Sequence, residues 1–203
     1  MKRIFVLILA NCLALSLFAQ GKDLGPITSL FTDYYAGKDS VAAKNTVYYV
    51  RSESDGSTYR LQNKLNKYSN VPSKFESGEQ IDVYHGELIS TDSSVIEKIF
   101  RDVLSEKNEL KIIGDGVREI YFFAVVDSKT GRIIEFRFFK LNVSYGQRNI
   151  MGCISPFEIE EIENRMKEEV VFDVSRFREI PPVNFIVKAM SVSLRDGEIR
   201  VWR

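Results

Sequence analysis

The chain has 203 residues, 44% of them hydrophobic and 28% charged, with 28 basic residues balanced by 28 acidic ones. That length buries a real core, and 14 Phe and 9 Tyr are far more aromatic surface than a disordered chain carries. The balanced charge supplies no broad positive field, which argues against a non-specific nucleic-acid binder.

The N-terminus has the pattern of an export signal. Lys2 and Arg3 precede an apolar run from Ile4 to Phe18 that is interrupted only by Asn11 and Ser16. At about 15 residues, the run is short of the roughly 20 that span a bilayer. Residues 1–19 are therefore expected to be a signal peptide cut after Ala19, leaving no stable membrane span. The Leu9-Ala10-Asn11-Cys12 stretch approaches a lipidation motif, but Asn11 stands where a small residue belongs, so a lipoprotein is not expected. The expected location is the periplasm, the outer surface or the medium. Cleavage leaves 26 basic against 28 acidic residues, a net charge of −2. It also leaves Cys153 as the single thiol, which excludes an internal disulfide and makes packing hold the fold. Between Gly152 and Ile154, Cys153 is expected to be a small buried apolar residue. An Asn142-Val143-Ser144 sequon lies at the end of a predicted strand and matters only where the host glycosylates.

Ile27, Leu30, Phe31 and Tyr34 recur at helical spacing and predict a short amphipathic helix over 28–36. Residues 46–51 are β-branched and aromatic and run into the turn-forming Glu53-Ser54-Asp55-Gly56-Ser57, a strand followed by a turn. Leu61, Leu65 and Tyr68 fit either a helix or a second strand. The stretch 71–80, with Pro72, Ser73, Ser77 and Gly78, reads as a loop and the best boundary between two halves, 20–80 and 81–203, of two domains or of one. Residues 81–89 read as another strand.

In the second half, Ser94 and Glu97 fit a capping box that starts a helix. Val95, Ile96, Ile99, Phe100, Val103 and Leu104 form its apolar stripe, and Asn108 marks its end. A hairpin follows, with strands 119–127 and 132–141 joined through Ser128-Lys129-Thr130-Gly131, where Gly131 supplies the positive φ of the turn. Alternation places Ile134, Phe136 and Phe138 on one face and Glu135 and Arg137 on the other. The first strand is apolar on both faces, as an internal strand would be. Ser155-Pro156-Phe157-Glu158 combines an N-cap serine, a proline at the first helical position and a glutamate at the third, starting a second helix whose Ile159, Ile162, Met166 and Val170 share a face. Pro181-Pro182 ends an irregular link. Residues 183–194 read as a strand, turning at Asp196-Gly197 into 199–202. The expected fold is α+β, a mostly antiparallel sheet with two amphipathic helices on one face.

The chemistry-bearing residues are sparse. One His and one mature Cys offer no set of converging metal ligands, so no metal site is expected. Glu158, Glu160, Glu161 and Glu163 read as the solvated face of a helix beside Arg165 and Lys167. A serine hydrolase would have to use His85, which reads instead as a strand-end or turn residue, and no nucleophile elbow is present. Gly114-Asp115-Gly116 lacks the glycines and lysine of a phosphate-binding loop. Asp115, Glu119 and Glu135 remain as carboxylates that a fold could pair for glycoside cleavage, since such pairs need no local motif. No catalytic, cofactor-binding or metal residue is assigned, and no cofactor is expected.

The order helix, hairpin, helix, strand over residues 94–194 resembles the C-terminal domain of TonB-like envelope proteins. The resemblance is carried by Phe123-Ala124-Val125-Val126-Asp127-Ser128-Lys129-Thr130-Gly131-Arg132-Ile133-Ile134-Glu135, the helix from Pro156 and the strand 183–194. It covers about half the chain and departs from that family in the long 142–154 connection and in lacking its anchor and proline-rich spacer, so no energy-transducing role is implied. The whole chain is also similar to small exported proteins of Gram-negative envelopes. The expected function is an exported, non-enzymatic binding or scaffolding module of the cell envelope, partnered by another envelope protein or a peptide through strand addition. The competing expectations are a hydrolase of envelope glycans or peptides, with some of Asp115, Glu119, Glu135 and His85 in one concave site, and an inhibitor or immunity-like protein with one enzyme partner.

Overall fold

Apolar side chains on both faces of residues 118–126 suit only a strand flanked by neighbours on both sides, and the computed structural model places them at the heart of a sheet. It describes residues 32–53, 58–75, 77–79, 83–106, 118–143, 150–176, 183–195 and 198–202. The strands are β1 (Ser40–Ala42), β2 (Val47–Ser52), β3 (Thr58–Asn63), β4 (Arg118–Val126), β5 (Ile133–Val143), β6 (Ile186–Arg195) and β7 (Glu198–Trp202). They form one seven-stranded sheet in the order β1-β2-β3-β5-β4-β6-β7, and every neighbouring pair is antiparallel. β3 pairs with β5, so strands from either side of residue 80 share this sheet.

Helices α1 (Ser93–Leu104) and α2 (Pro156–Glu169) pack on one face, giving an α+β fold. From α1, Ile96, Ile99, Phe100 and Leu104 are buried, and from α2, Ile159, Ile162 and Met166. They close over Ile120, Phe122, Ala124, Phe136, Phe139 and Leu141 of the sheet. Phe122 is the hub of the core: its ring stacks on Phe100 at 6.2 Å and meets Phe136 at 5.5 Å and Phe139 at 5.9 Å. Cys153 is buried at the edge of this core. Among the described residues, no helix is long and apolar enough to cross a membrane.

The second helix starts as its sequence predicts. Ser155 and Glu158 form a reciprocal capping box, with the Ser155 amide donating to Glu158 Oε2 at 2.7 Å and Pro156 opening the first turn. The first helix differs. Asp92, not Ser94, caps it by accepting the Ser94 amide at 2.9 Å; an ionised carboxylate two residues upstream is the better acceptor for that N–H.

Four further expectations are corrected. The strand expected over residues 81–89 is replaced, in its described part, by a 3₁₀ helix, Val83–Leu88, packed against β6. Gly86 makes this approach possible, because a Cβ there would come within 2.5 Å of the Val187 carbonyl oxygen. The Lys188 amine donates to the Gly86 carbonyl oxygen at 2.9 Å. The close approach to the Val187 backbone and the Lys188 amine hold this segment against β6 as a tight helical turn rather than an extended strand. Residues 32–36 are not helical, because the Asp33 carboxylate accepts the amides of Tyr35 and Ala36 and folds them into a turn; residues 28–31 of that predicted helix, and the signal peptide, lie outside the described residues.

The strict alternation in β5 is also broken. Phe122 pairs with Phe139 but Ala124 with Phe136, and Val125 pairs with Glu135 but Val126 with Ile133. β5 thus carries an extra residue at each of two bulges, and each extra residue reverses which face the chain presents. Phe139 enters the core in place of Phe138, and Ile134 is left 39% exposed.

The fourth correction concerns the acidic face of α2. Glu160 is buried, accepting the Lys44 and Asn45 amides at 2.7 and 2.9 Å in the β1–β2 turn. Glu163 is 1% exposed and accepts from the Tyr48 hydroxyl at 2.7 Å, Asn63 Nδ2 at 3.1 Å and Lys167 Nζ at 2.6 Å. Helix periodicity marks these residues polar; β2 and β3 bring the polar tips that bury them. Burial, together with the Glu163 carboxylate beside it, pushes the Tyr48 phenol well above the ordinary tyrosine range. Glu163→Ala is expected to lower stability by about 2–3 kcal/mol by orphaning the Tyr48 hydroxyl. Urea unfolding measures this, and Glu163→Gln, which keeps an acceptor, should lose less.

Candidate functional site

The helices cover one face of the sheet, and the opposite face is covered only in part. At the end carrying Val125 and Glu135, the chain after β3 crosses over it. There the Glu135 carboxylate accepts the Lys67 amide at 2.8 Å and the Tyr68 amide at 2.6 Å. Tyr68 packs edge-on against the buried Phe185 at 5.1 Å, and Arg137 donates to the Val71 carbonyl oxygen. At the other end, strand register decides what the described residues present on this face.

One register row runs across six strands: Arg51, Arg60, Lys140, Tyr121, Ser191 and Trp202 are successive cross-strand partners. Three cations therefore sit side by side at strand spacings of about 4.8 Å, an arrangement that is destabilising for the sheet by itself. Lys140 is relieved by Glu53 at 3.2 Å. The Arg60 guanidinium lies 3.7 Å over the Phe138 ring, a cation–π contact, and Phe138 packs on Phe123 at 4.9 Å. Neither Arg51 nor Arg60 has an acidic partner among the described residues. Partial burial, then the neighbouring Arg51 charge, lowers the Arg60 pKa from its ordinary value.

These side chains surround an open hollow of about 400 Å³, lined by Glu53, Arg60, Tyr121, Phe123, Phe138, Lys140 and Asn142, within the size range of small-molecule sites. Its floor is aromatic and its rim mixes donors and acceptors. Asn142 Oδ1 accepts the Thr58 hydroxyl at 3.1 Å. Tyr121 donates its hydroxyl to Glu119, and this hydrogen bond, ahead of burial, pushes the phenol up to about 12. In a ¹³C NMR titration, Tyr121 is expected to stay un-ionised through pH 11, and in Glu119→Gln to titrate closer to the ordinary 10.0. An unchanged titration in that variant would show that Glu119 does not hold the hydroxyl in solution.

The fold does not pair the two predicted carboxylates it describes. Glu119 sits beside the hollow, whereas Glu135 clamps the crossing loop. Their register positions on β4, Glu119 and Val125, are six residues apart, about 20 Å, beyond the roughly 5–9.5 Å of a glycosidase pair. Asp115 and the side chain of His85 lie outside the described residues. Among the described residues no three His, Cys, Asp or Glu side chains gather to hold a metal ion. Sequence reading missed Arg51, Arg60, Phe138 and Lys140. Alternation in residues 58–62 and 138–142 hints that they share faces, but only strand register puts the cations in one row, and only the bulge turns Phe138 to them.

The class this defines is an α+β protein with helices on one sheet face and a cationic, aromatic hollow on the other. Among solved structures it is similar to a DUF5043 family protein from Bacteroides uniformis ATCC 8492, determined at 1.85 Å, with a TM-score of 0.59 and 18% sequence identity over 78% of this chain and 86% of that one. At that identity the likeness is one of fold. No protein-family model matches the sequence, and no curated protein matches it.

Proposed function

We propose that this protein is an exported, non-enzymatic binding module of the cell envelope that seats its ligand on the open sheet face. The observation that carries this reading is the row Arg51, Arg60, Lys140. Adjacent like charges weaken a sheet, and a fold that needed them only for solubility would scatter them. Here Arg60 and Lys140 border a hollow with an aromatic floor, the composition of a ligand site, and Arg51 stands beside Arg60 on the next strand. Export is supported by Lys2, Arg3 and the apolar run to Phe18. A place in the envelope is further supported by the resemblance of the sequence over residues 94–194 to the C-terminal domain of TonB-like envelope proteins, an analogy that carries no mechanism.

The sheet edges are weaker candidates than the face. β1 has three residues, and β7 has five with an Arg200–Glu198 ion pair along it, the short charged edges that resist strand addition. The test is fractionation of cells producing the tagged chain, with a photo-crosslinking residue placed at Phe138 or at the exposed Ile134. Export with processing near Ala19, and adducts formed from position 138 but not from 134, are expected. Retention in the cytoplasm, or equal labelling at both positions, would overturn the reading.

A further inference from the structure

The chemistry of the hollow is specific enough to name a ligand class. Most of the backbone beneath it is consumed by the sheet ladder that β3, β5, β4 and β6 share, which is interrupted at the β5 bulge between Phe136 and Phe139. A peptide laid across the hollow would find few main-chain groups to bond, so recognition falls mainly to side chains. Those side chains point in several chemical directions at once. Glu53 accepts, Lys140 and Arg60 donate, Tyr121 and Asn142 offer polar tips, and Phe123 and Phe138 form the apolar base. An apolar ligand would strand this polar rim, and a compact inorganic anion would leave the aromatic base uncovered. A ligand with hydroxyls around its edge, C–H groups on its flat face and a negative charge satisfies all three features.

We infer that the hollow binds an acidic oligosaccharide, one whose sugar units carry carboxylates, with its ring faces on Phe123 and Phe138 and its carboxylates on Arg60 and Arg51. The inference rests on the binding-module reading above. Arg60 is the anchor: Phe138 holds one face of its guanidinium, which leaves its edge N–H groups for a planar, two-point contact with a carboxylate. Arg51 is its cross-strand neighbour, one strand spacing away, about 4.8 Å, a step comparable with the advance of one sugar unit along an extended chain. Charge complementarity is local. The mature chain is expected to be slightly acidic overall, so a polyanion would be drawn to this row rather than to the protein at large.

The test is a ¹H–¹⁵N NMR titration of the purified protein with three probes: an oligogalacturonate trisaccharide, a neutral trisaccharide of the same length, and a glutamate-rich peptide. The trisaccharide acid is expected to move amide signals of residues 51–53, 58–62, 119–123 and 138–142. It should bind at least about tenfold more tightly than the neutral sugar, since a charge-assisted contact separates the two. Arg60→Met should abolish that preference while leaving the melting temperature unchanged or higher, because it relieves a like-charge neighbour; Arg200→Gln, farther along the same face, should leave binding unaltered. Equal binding of the neutral trisaccharide overturns the carboxylate assignment. Tighter binding of the peptide at the same amides overturns the sugar assignment and leaves the binding-module reading standing. If none of the three probes moves these amides, the acidic-saccharide inference fails, and adducts at position 138 in the envelope decide separately whether another ligand uses the face.

Discussion

Phe122→Ala is expected to destabilise the protein by about 3–5 kcal/mol, the range for deleting a fully buried aromatic ring. Phe122 is fully buried, and three rings converge on it, Phe100 from α1 and Phe136 and Phe139 from β5. These neighbours belong to different elements held by their own hydrogen bonds, so the cavity has little freedom to collapse. Denaturant unfolding followed by circular dichroism would register the loss as a lower midpoint. Phe122→Leu, which keeps more of the volume, should recover a substantial part of it. A loss under 1 kcal/mol in the alanine variant would show that Phe100 does not pack on this strand in solution.

Gly131→Ala is expected to do comparable harm for a different reason. Gly131 closes the β4–β5 turn at φ 71°, a region where an L residue is strained by about 1–2 kcal/mol. It is also where the chain leaving α2 crosses the turn. The Phe172 amide donates to the Gly131 carbonyl oxygen at 2.8 Å, and a Cβ on residue 131 would lie 2.0 Å from the Phe172 carbonyl oxygen. Backbone cannot rotate away as a side chain can, so the turn and the 171–173 segment must separate. That loses the Phe172 bond and strains the contacts of Val171 and Asp173 with Thr91 and Ser90 at the start of α1. The total should reach about 3 kcal/mol. Gly131→Asn, which tolerates positive φ but adds the same Cβ, separates the two causes. If it is as damaging as alanine, the close approach dominates; if it is nearly neutral, conformational strain does. A melting temperature unchanged in both variants would refute the crossing.

The local signals in this sequence were read correctly where one residue's chemistry decided the outcome alone. Ser155-Pro156-Phe157-Glu158 starts α2 because an N-cap hydroxyl, a proline lacking an N–H and a returning carboxylate satisfy the same helix end whatever surrounds it. Gly131 closes the hairpin because the turn needs positive φ. The apolar stripe of α1 faces the core because its 3.6-residue repeat leaves it no alternative. Two expectations yield to neighbouring acceptors, the Ser94 cap to Asp92 and the end of the 28–36 helix to Asp33; others depended on a partner distant in sequence. Glu163 looks solvated until β2 brings Tyr48 against it, and residues 83–88 read as a strand until their contact with β6 folds them as a 3₁₀ helix.

The same division holds for the candidate site. Composition and local pattern by themselves determined an α+β chain, its central hairpin and its two amphipathic helices, because burial periodicity and turn chemistry act over a few residues. Tertiary structure alone decided that Arg51, Arg60 and Lys140 stand in one row and that Phe138 turns outward to meet Arg60. Strand order and register join segments some 80 residues apart, and a single bulged residue in β5 reverses the face of each side chain beyond it. No window of local sequence contains that information, since it resides in which edges meet and at what offset.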